Sequence, residues 1–150
     1  PEAGLIISVL VIQFVAIVGS RLFAFSSGRY GNIFTLKIAI LIWVMVCIAA
    51  YFTYTALQFY FLAAAVGLIM GGIQSLSRST YSKMLPDTRD HASYFSFYDV
   101  TEKVALIFGM LSFAYIEGVY GDMRSSTLLL MSFFILGLGG LFFVKELKKV

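Results

Sequence analysis

Gly71 to Tyr98 reads GGIQSLSRSTYSKMLPDTRDHASYFSFY. Ala56 to Ser77 runs for 22 residues without a formal charge, and Arg78, Lys83, Asp87, Arg89 and Asp90 then arrive within thirteen positions. An uncharged run that ends in a burst of charge followed by Pro86 marks a chain leaving an apolar medium and turning in water. The stretch predicts a hairpin of two long helices that leaves the apolar medium at Arg78 and re-enters it near Tyr94.

The rest of the chain agrees with this hairpin. Of 150 residues, 60% are hydrophobic and 13% charged, with a mean hydropathy of +0.91. A soluble domain carries roughly 25% charged residues, so too little polar surface exists to coat a globule, and the excess apolar surface must face lipid. A crossing needs about 20 apolar residues. Five spans meet that need, at about 5–25, 36–54, 56–84, 94–117 and 125–144, separated by a Gly/Ser-rich turn at Ser26–Asn32, a short uncharged turn at Thr53–Thr55 and the Pro86 break. These runs are continuous and not alternating segments of about ten residues, so they predict helices and not barrel strands. The fold class expected is all-α, a polytopic membrane helix bundle with no soluble domain between the spans.

Five spans place the two ends on opposite sides. If the first loop, the third loop and the C-terminus share a side, it holds Arg21, Arg29, Lys37, Arg78, Lys83, Arg89, Lys103, Lys145, Lys148 and Lys149, leaving only Arg124 opposite. Cytoplasmic loops collect Lys and Arg, so the orientation expected is N-terminus outside and C-terminus in the cytoplasm. The tail lysines, Lys145, Lys148 and Lys149, are expected to meet anionic lipid. The chain opens Pro1-Glu2, without Met and without the basic region or cleavage site of a signal peptide. The expectation is that it begins inside a longer protein, since one helix in front would complete a six-helix unit, half of a twelve-helix transporter.

Catalytic chemistry has little to work with. Cys47 is the only cysteine and His91 the only histidine, so neither a disulfide nor a Cys/His metal site is expected. His91, placed by this reading in a loop beside Asp90, is expected to be merely solvated. No phosphate loop, Ser/His/Asp set or paired catalytic carboxylates are present. The expectation is no enzyme, no cofactor and no nucleic-acid partner.

The motif Gly71-Gly72-Ile73-Gln74-Ser75-Leu76-Ser77-Arg78-Ser79, continued by Pro86, Phe95, Phe97, Tyr98, Lys103 and Gly109, resembles the tenth-helix signature of the vacuole-effluxer-like branch of the major facilitator superfamily, which includes the autophagy-related amino-acid effluxers. Gly28-Arg29-Tyr30-Gly31 resembles the superfamily's D-R-x-G loop, with Gly28 at the Asp position. Met110 stands where a Pro is expected, and His91-Ala92-Ser93 where an acid is expected. The resemblance covers nearly the whole chain and implies helices eight to twelve of twelve. It also implies a missing N-terminal half, a small-molecule substrate with amino-acid efflux as the family's activity, and bacterial inner (plasma) membrane as the location.

The candidate residues follow from placing charge in helices. Arg78 lies one turn after Gln74. It reads either as a cytoplasmic gate pairing with an acid across the hairpin or as an interfacial Arg reaching phosphate headgroups. Arg29 joins the charge network through the loop motif. Asp99 and Lys103 stand at i,i+4 and are expected to pair on the helix surface, with Glu102 beside them. A coupling carboxylate or a structural ion pair fits there, and the second is favoured because a helix starting at Tyr94 puts Asp99 only about 7 Å along it. Gln13, Gln74 and Tyr115 are polar groups inside apolar runs, and Ser112 adds a hydroxyl. The resembled fold turns Gln13, Gln74 and Tyr115 to a central cavity, while helix-to-helix hydrogen bonding accounts for them more simply. Gly67, Gly71, Gly72, Gly137, Gly139 and Gly140 are expected to let helices pack closely. The function expected is part of a secondary transporter working by alternating access; the alternative is a stand-alone five-helix scaffold or accessory subunit.

Overall fold

The computed structural model describes residues 2–145. Lys148 and Lys149 of the basic tail lie outside them. The described residues form α1 (Glu2–Tyr30), α2 (Asn32–Tyr51), α3 (Ala56–Met84), α4 (His91–Tyr120) and α5 (Met123–Phe142), with no strand among them. All five helices are long and apolar enough to cross a membrane, as the composition requires. At 1.5 Å per residue, α2 and α5 span about 30 Å and the other three about 45 Å, so the long helices exceed a hydrocarbon core of roughly 30 Å.

Their ends differ from the sequence expectation for local reasons. Ser26–Asn32 is not a turn. Ser27 Oγ donates to Ala24 O at 2.9 Å within its own helix, α1 continues to Tyr30, and the reversal shrinks to Gly31 at φ 99°, where the missing side chain matters. α3 begins at a reciprocal cap. Thr55 Oγ1 accepts from Gln58 N at 3.3 Å, while Gln58 Oε1 accepts from Thr55 N at 3.1 Å, an arrangement that contributes about 1 kcal/mol. It ends where Leu85 turns extended (φ −64°, ψ 141°), as the residue before Pro86 must. α4 starts at His91, ahead of the expected Ser93 or Tyr94, because Asp90 caps it by accepting from Ser93 N at 3.3 Å. His91 is therefore the first helical residue and not part of a loop. Gly121, at φ 64°, ends α4.

α1 and α3 run parallel at backbone contact. A methyl on Gly67 would lie 2.7 Å from Ile12 O, and methyls on Gly71, Gly19 and Gly72 would overlap Ala16, Leu68 and the Phe23 ring. The Gly67/Gly71 spacing thus does what small residues do in lipid, where backbones approach by van der Waals contact. Gly137, Gly139 and Gly140 do not: a methyl on any of them meets no atom of the described residues within 4 Å. Their helix packs by its large side chains instead, Phe134 stacking on Trp43 of α2 at 5.0 Å.

Phe23, Leu36, Ala39, Val46, Ile69 and Leu76 form the core shared by α1, α2 and α3. α4 buries no residue; α5 holds it through Ser126 Oγ, which donates to Phe113 O at 3.2 Å, and through Phe108 against Phe133. The accessible surface is 10485 Å², against roughly 7600 Å² for a compact soluble protein of this mass. Side-chain contacts sort the loops by end. Asn32 meets Thr80 and Lys83, so the α1–α2 junction and the end of α3 share one end. Arg124 meets Thr53 and Tyr54 at the other.

Candidate functional site

The last turns of α3 carry polar side chains on two opposite faces. At 100° per residue, Thr80 and Lys83 share one face and Arg78 and Tyr81 the other. On the first, the buried Asn32 amide donates to Thr80 Oγ1 at 3.0 Å and its oxygen accepts from Lys83 Nζ at 3.1 Å. Thr80 Oγ1 in turn donates to Leu76 O at 2.7 Å. On this face Asn32 and Thr80 are buried and bonded, while Lys83 reaches in from the exposed surface.

The second face looks at α4. Among the described residues, no α3 Cα comes within 8 Å of an α4 Cα, so side chains alone bridge the two helices. Arg78 bonds Asp99, stands 4.0 Å from Glu102, and lies over the Tyr98 ring at 5.6 Å. Tyr81 OH donates to Tyr94 O at 2.8 Å, and its ring packs on Phe95 and Tyr98. Beside the ion pair opens a recess of about 270 Å³ lined by Gln74, Ser75, Arg78, Tyr98 and Glu102. Both partners of the pair are about half exposed, so the pair is accessible and is not a buried strut.

The candidates of the sequence thus divide. Gln74, Arg78, Asp99 and Glu102 come together. Asp99 pairs with Arg78 and not with Lys103, which is exposed; a neighbouring helix offers a fork of donors where Lys103 offers a flexible chain with no fixed partner among the described residues. The depth argument also changes. From His91, Asp99 lies about 12 Å along α4 and not about 7 Å. Gln13 is exposed on α1, and Tyr115 lines an open groove with Phe108, Leu111 and Leu129; neither joins Gln74. Ser112 Oγ donates to Phe108 O of its own helix and not to a neighbour. Arg29 lies beside the Tyr30 ring at the end of α1. Sequence reasoning missed Asn32, Thr80 and Tyr81. The available signal was their spacing: Leu76, Thr80 and Lys83 at i, i+4, i+7 share one helix stripe, of which Leu76 and Thr80 are buried. Among the described residues, no group of three His, Cys, Asp or Glu side chains is placed to hold a metal.

Five membrane-crossing helices, three of them packed around a common core and one tied to its neighbour through a charged clasp, define a multi-pass integral membrane protein. The model of the family described as "Vacuole effluxer Atg22 like" matches residues 1–150, and the chain belongs to that transporter family. It is 37% identical over 144 residues to the "Uncharacterized MFS-type transporter YxiO" of Bacillus subtilis, covering 93% of this chain and 33% of the relative. It is 35% identical over 63 residues to "Autophagy-related protein 22-1" of Emericella nidulans, covering 42% of this chain and 10% of the relative. "Autophagy-related protein 22" of Coccidioides immitis is 33% identical over 67 residues, 45% of this chain and 11% of the relative. The chain spans about a third of the length of the bacterial relative it matches and less of the fungal ones. No solved structure matches it.

Proposed function

We propose that these helices are helices eight to twelve of a twelve-helix secondary transporter that moves small solutes, amino acids among them, outward from the compartment it drains, by alternating access. A missing N-terminal half supplies the facing surface of the pathway. The basic end, with Arg29, Lys83 and Arg89, faces the cytoplasm of a bacterial inner membrane, and the N-terminus of the chain lies outside. The observation that carries the reading is the bond from Arg78 to Asp99 between two helices whose backbones stay apart. An exposed ion pair of this kind contributes only about 0–1 kcal/mol. It is strong enough to bias two arrangements and weak enough to break in each cycle, which is what a gate requires. Gln74 and Ser75 line the recess immediately behind it, where a solute would wait. Membership in a transporter family and the alignment with a third of a transporter-length relative support the same view.

The test uses the full-length transporter containing these helices, reconstituted in proteoliposomes, with uptake and release of radiolabelled amino acids compared with an Arg78→Ala variant. The expected result is gradient-driven movement by the parent and uncoupled or lost movement by the variant. If the variant carries solute as fast as the parent under every gradient, Arg78 is not a gate.

A further inference from the structure

Lys37 is half-buried on α2, about 7–8 Å along the helix from Asn32. The 20 residues of α2 are about what one crossing needs, so this cation stands inside a spanning segment and needs an anion or water beside it. Three other cations of the bundle have acceptors: Arg78 bonds Asp99, Lys83 donates to Asn32 Oδ1 and Arg124 donates to Thr53 O. Among the described residues, Lys37 has no carboxylate within ion-pair distance and Nζ donates to no oxygen. It lies over the Phe142 ring of α5, 4.5 Å from the centroid. The ring attracts one side of the cation, but an ammonium carries three donors. Lys145, three residues beyond Phe142, is exposed at the same end of α5.

At 100° per residue, Leu41, Met45 and Ile48 continue the stripe that Lys37 heads. All three are exposed, and the core residues Ala39 and Val46 lie on the other side of α2. α2 in turn is bonded to the face of α3 opposite the one that bears the recess. A cation at the head of an outward apolar stripe is the complement of a phospholipid, whose phosphate stands at the head of its chains. We propose that Lys37 and Phe142 bind one anionic phospholipid in the leaflet at the basic end. Lys37 Nζ donates to a phosphate oxygen, a chain lies along Leu41, Met45 and Ile48, and Lys145 adds a second cation at the headgroup. A zwitterionic headgroup carries its own cation beside the phosphate and brings no net charge to Lys37, so the site selects anionic lipid. A bilayer is all this site requires; it does not depend on the gate proposed above.

Native mass spectrometry of the full-length transporter containing these helices, in detergent with added phosphatidylglycerol or phosphatidylcholine, tests the site. The parent is expected to retain one phosphatidylglycerol in preference to phosphatidylcholine. Lys37→Met keeps the apolar stem and should weaken that retention by about fivefold or more, while Lys37→Arg should keep it. Arg89→Ala removes an equal charge from the α3–α4 turn and should leave retention at the parent level. Excess inorganic phosphate, which has no chains, should not displace the lipid. In parallel thermal unfolding, phosphatidylglycerol should raise the Tm of the parent and of Lys37→Arg but not of Lys37→Met. Equal retention of the two lipids by the parent overturns the inference, and this arm holds even where a variant fails to fold. Parent-level retention by Lys37→Met overturns it too. Displacement by phosphate would leave an anion site and remove the lipid as its occupant. If only Glu146→Gln retains the lipid, Glu146 is the partner of Lys37 and the lipid site falls.

Discussion

Arg78 and Thr80 stand two residues apart on α3 and hold different helices: Arg78 bonds Asp99 of α4, and Thr80 accepts a hydrogen bond from Asn32 of α2. The first contact is exposed and ionic, and the second is buried and uncharged. One helix end thus holds α2 through a buried bond and α4 through an exposed one. Motion at this end is expected to carry α4 away from α3, with α3 staying on α1 and α2.

That asymmetry gives the first prediction. Arg78→Ala should change unfolding stability by no more than about 1 kcal/mol, because an exposed pair is screened, yet should raise thiol labelling at Ser75→Cys in the recess. Unfolding in mixed micelles with parallel maleimide labelling checks both. A large loss of stability without added labelling would show the pair to be a strut.

Asn32→Ala should behave in the opposite way. It strips Lys83 Nζ and Thr80 Oγ1 of a buried partner, at a cost of about 1–3 kcal/mol. A double-mutant cycle with Thr80→Val should return a coupling near 1 kcal/mol, and labelling at Ser75→Cys should stay at the parent level.

The glycines separate by contact. Gly71→Leu forces a side chain into the Ala16 backbone and should destabilise the bundle by about 1–3 kcal/mol or more. Gly139→Ala enters open space and should be neutral to slightly stabilising through helix propensity. Equal effects at both sites would contradict the parallel contact of α1 and α3.

Trp43 is the only tryptophan and stacks on Phe134 at 5.0 Å, so its fluorescence reports the α2–α5 contact without a label. Phe134→Ala should shift the emission and weaken the contact by about 0.5–1.5 kcal/mol. An unchanged spectrum would place the two rings apart in the bilayer.

Arg124 closes the other end of the bundle, lying 4.3 Å from the centroid of the Tyr54 ring and donating to Thr53 O at 3.4 Å. Arg124→Gln should raise hydrogen exchange in Phe52–Thr55 and leave the Arg78 end unaltered, since the two clasps share no partner.

Much of the fold was legible without coordinates. A chain with so little charge must put its apolar surface in lipid, and lipid admits a spanning chain only with its backbone bonds satisfied inside each segment. The existence, number and order of the helices therefore follow from hydropathy and Pro86. Their ends do not, because a cap such as Asp90 or a single glycine at positive φ moves a boundary by a few residues without altering hydropathy. Glu102 and Asp99 were legible as candidates, and so was an acid for Arg78 across the hairpin.

Which acid it would be, and which residues would stand behind the pair, was not. The choice between Lys103 and Arg78 as the partner of Asp99 depends on where α3 lies beside α4, and spacing along one helix carries no information about its neighbour. Sequence alone determined that five rods cross a bilayer with their basic residues gathered at one end, because transfer from water to hydrocarbon is a property of each segment by itself. Only the tertiary arrangement decided that Gly71 packs while Gly139 does not, and that α3 bonds Asn32 in the interior and Asp99 at an exposed site. Contacts between helices depend on distance and angle, and those are properties of the pair.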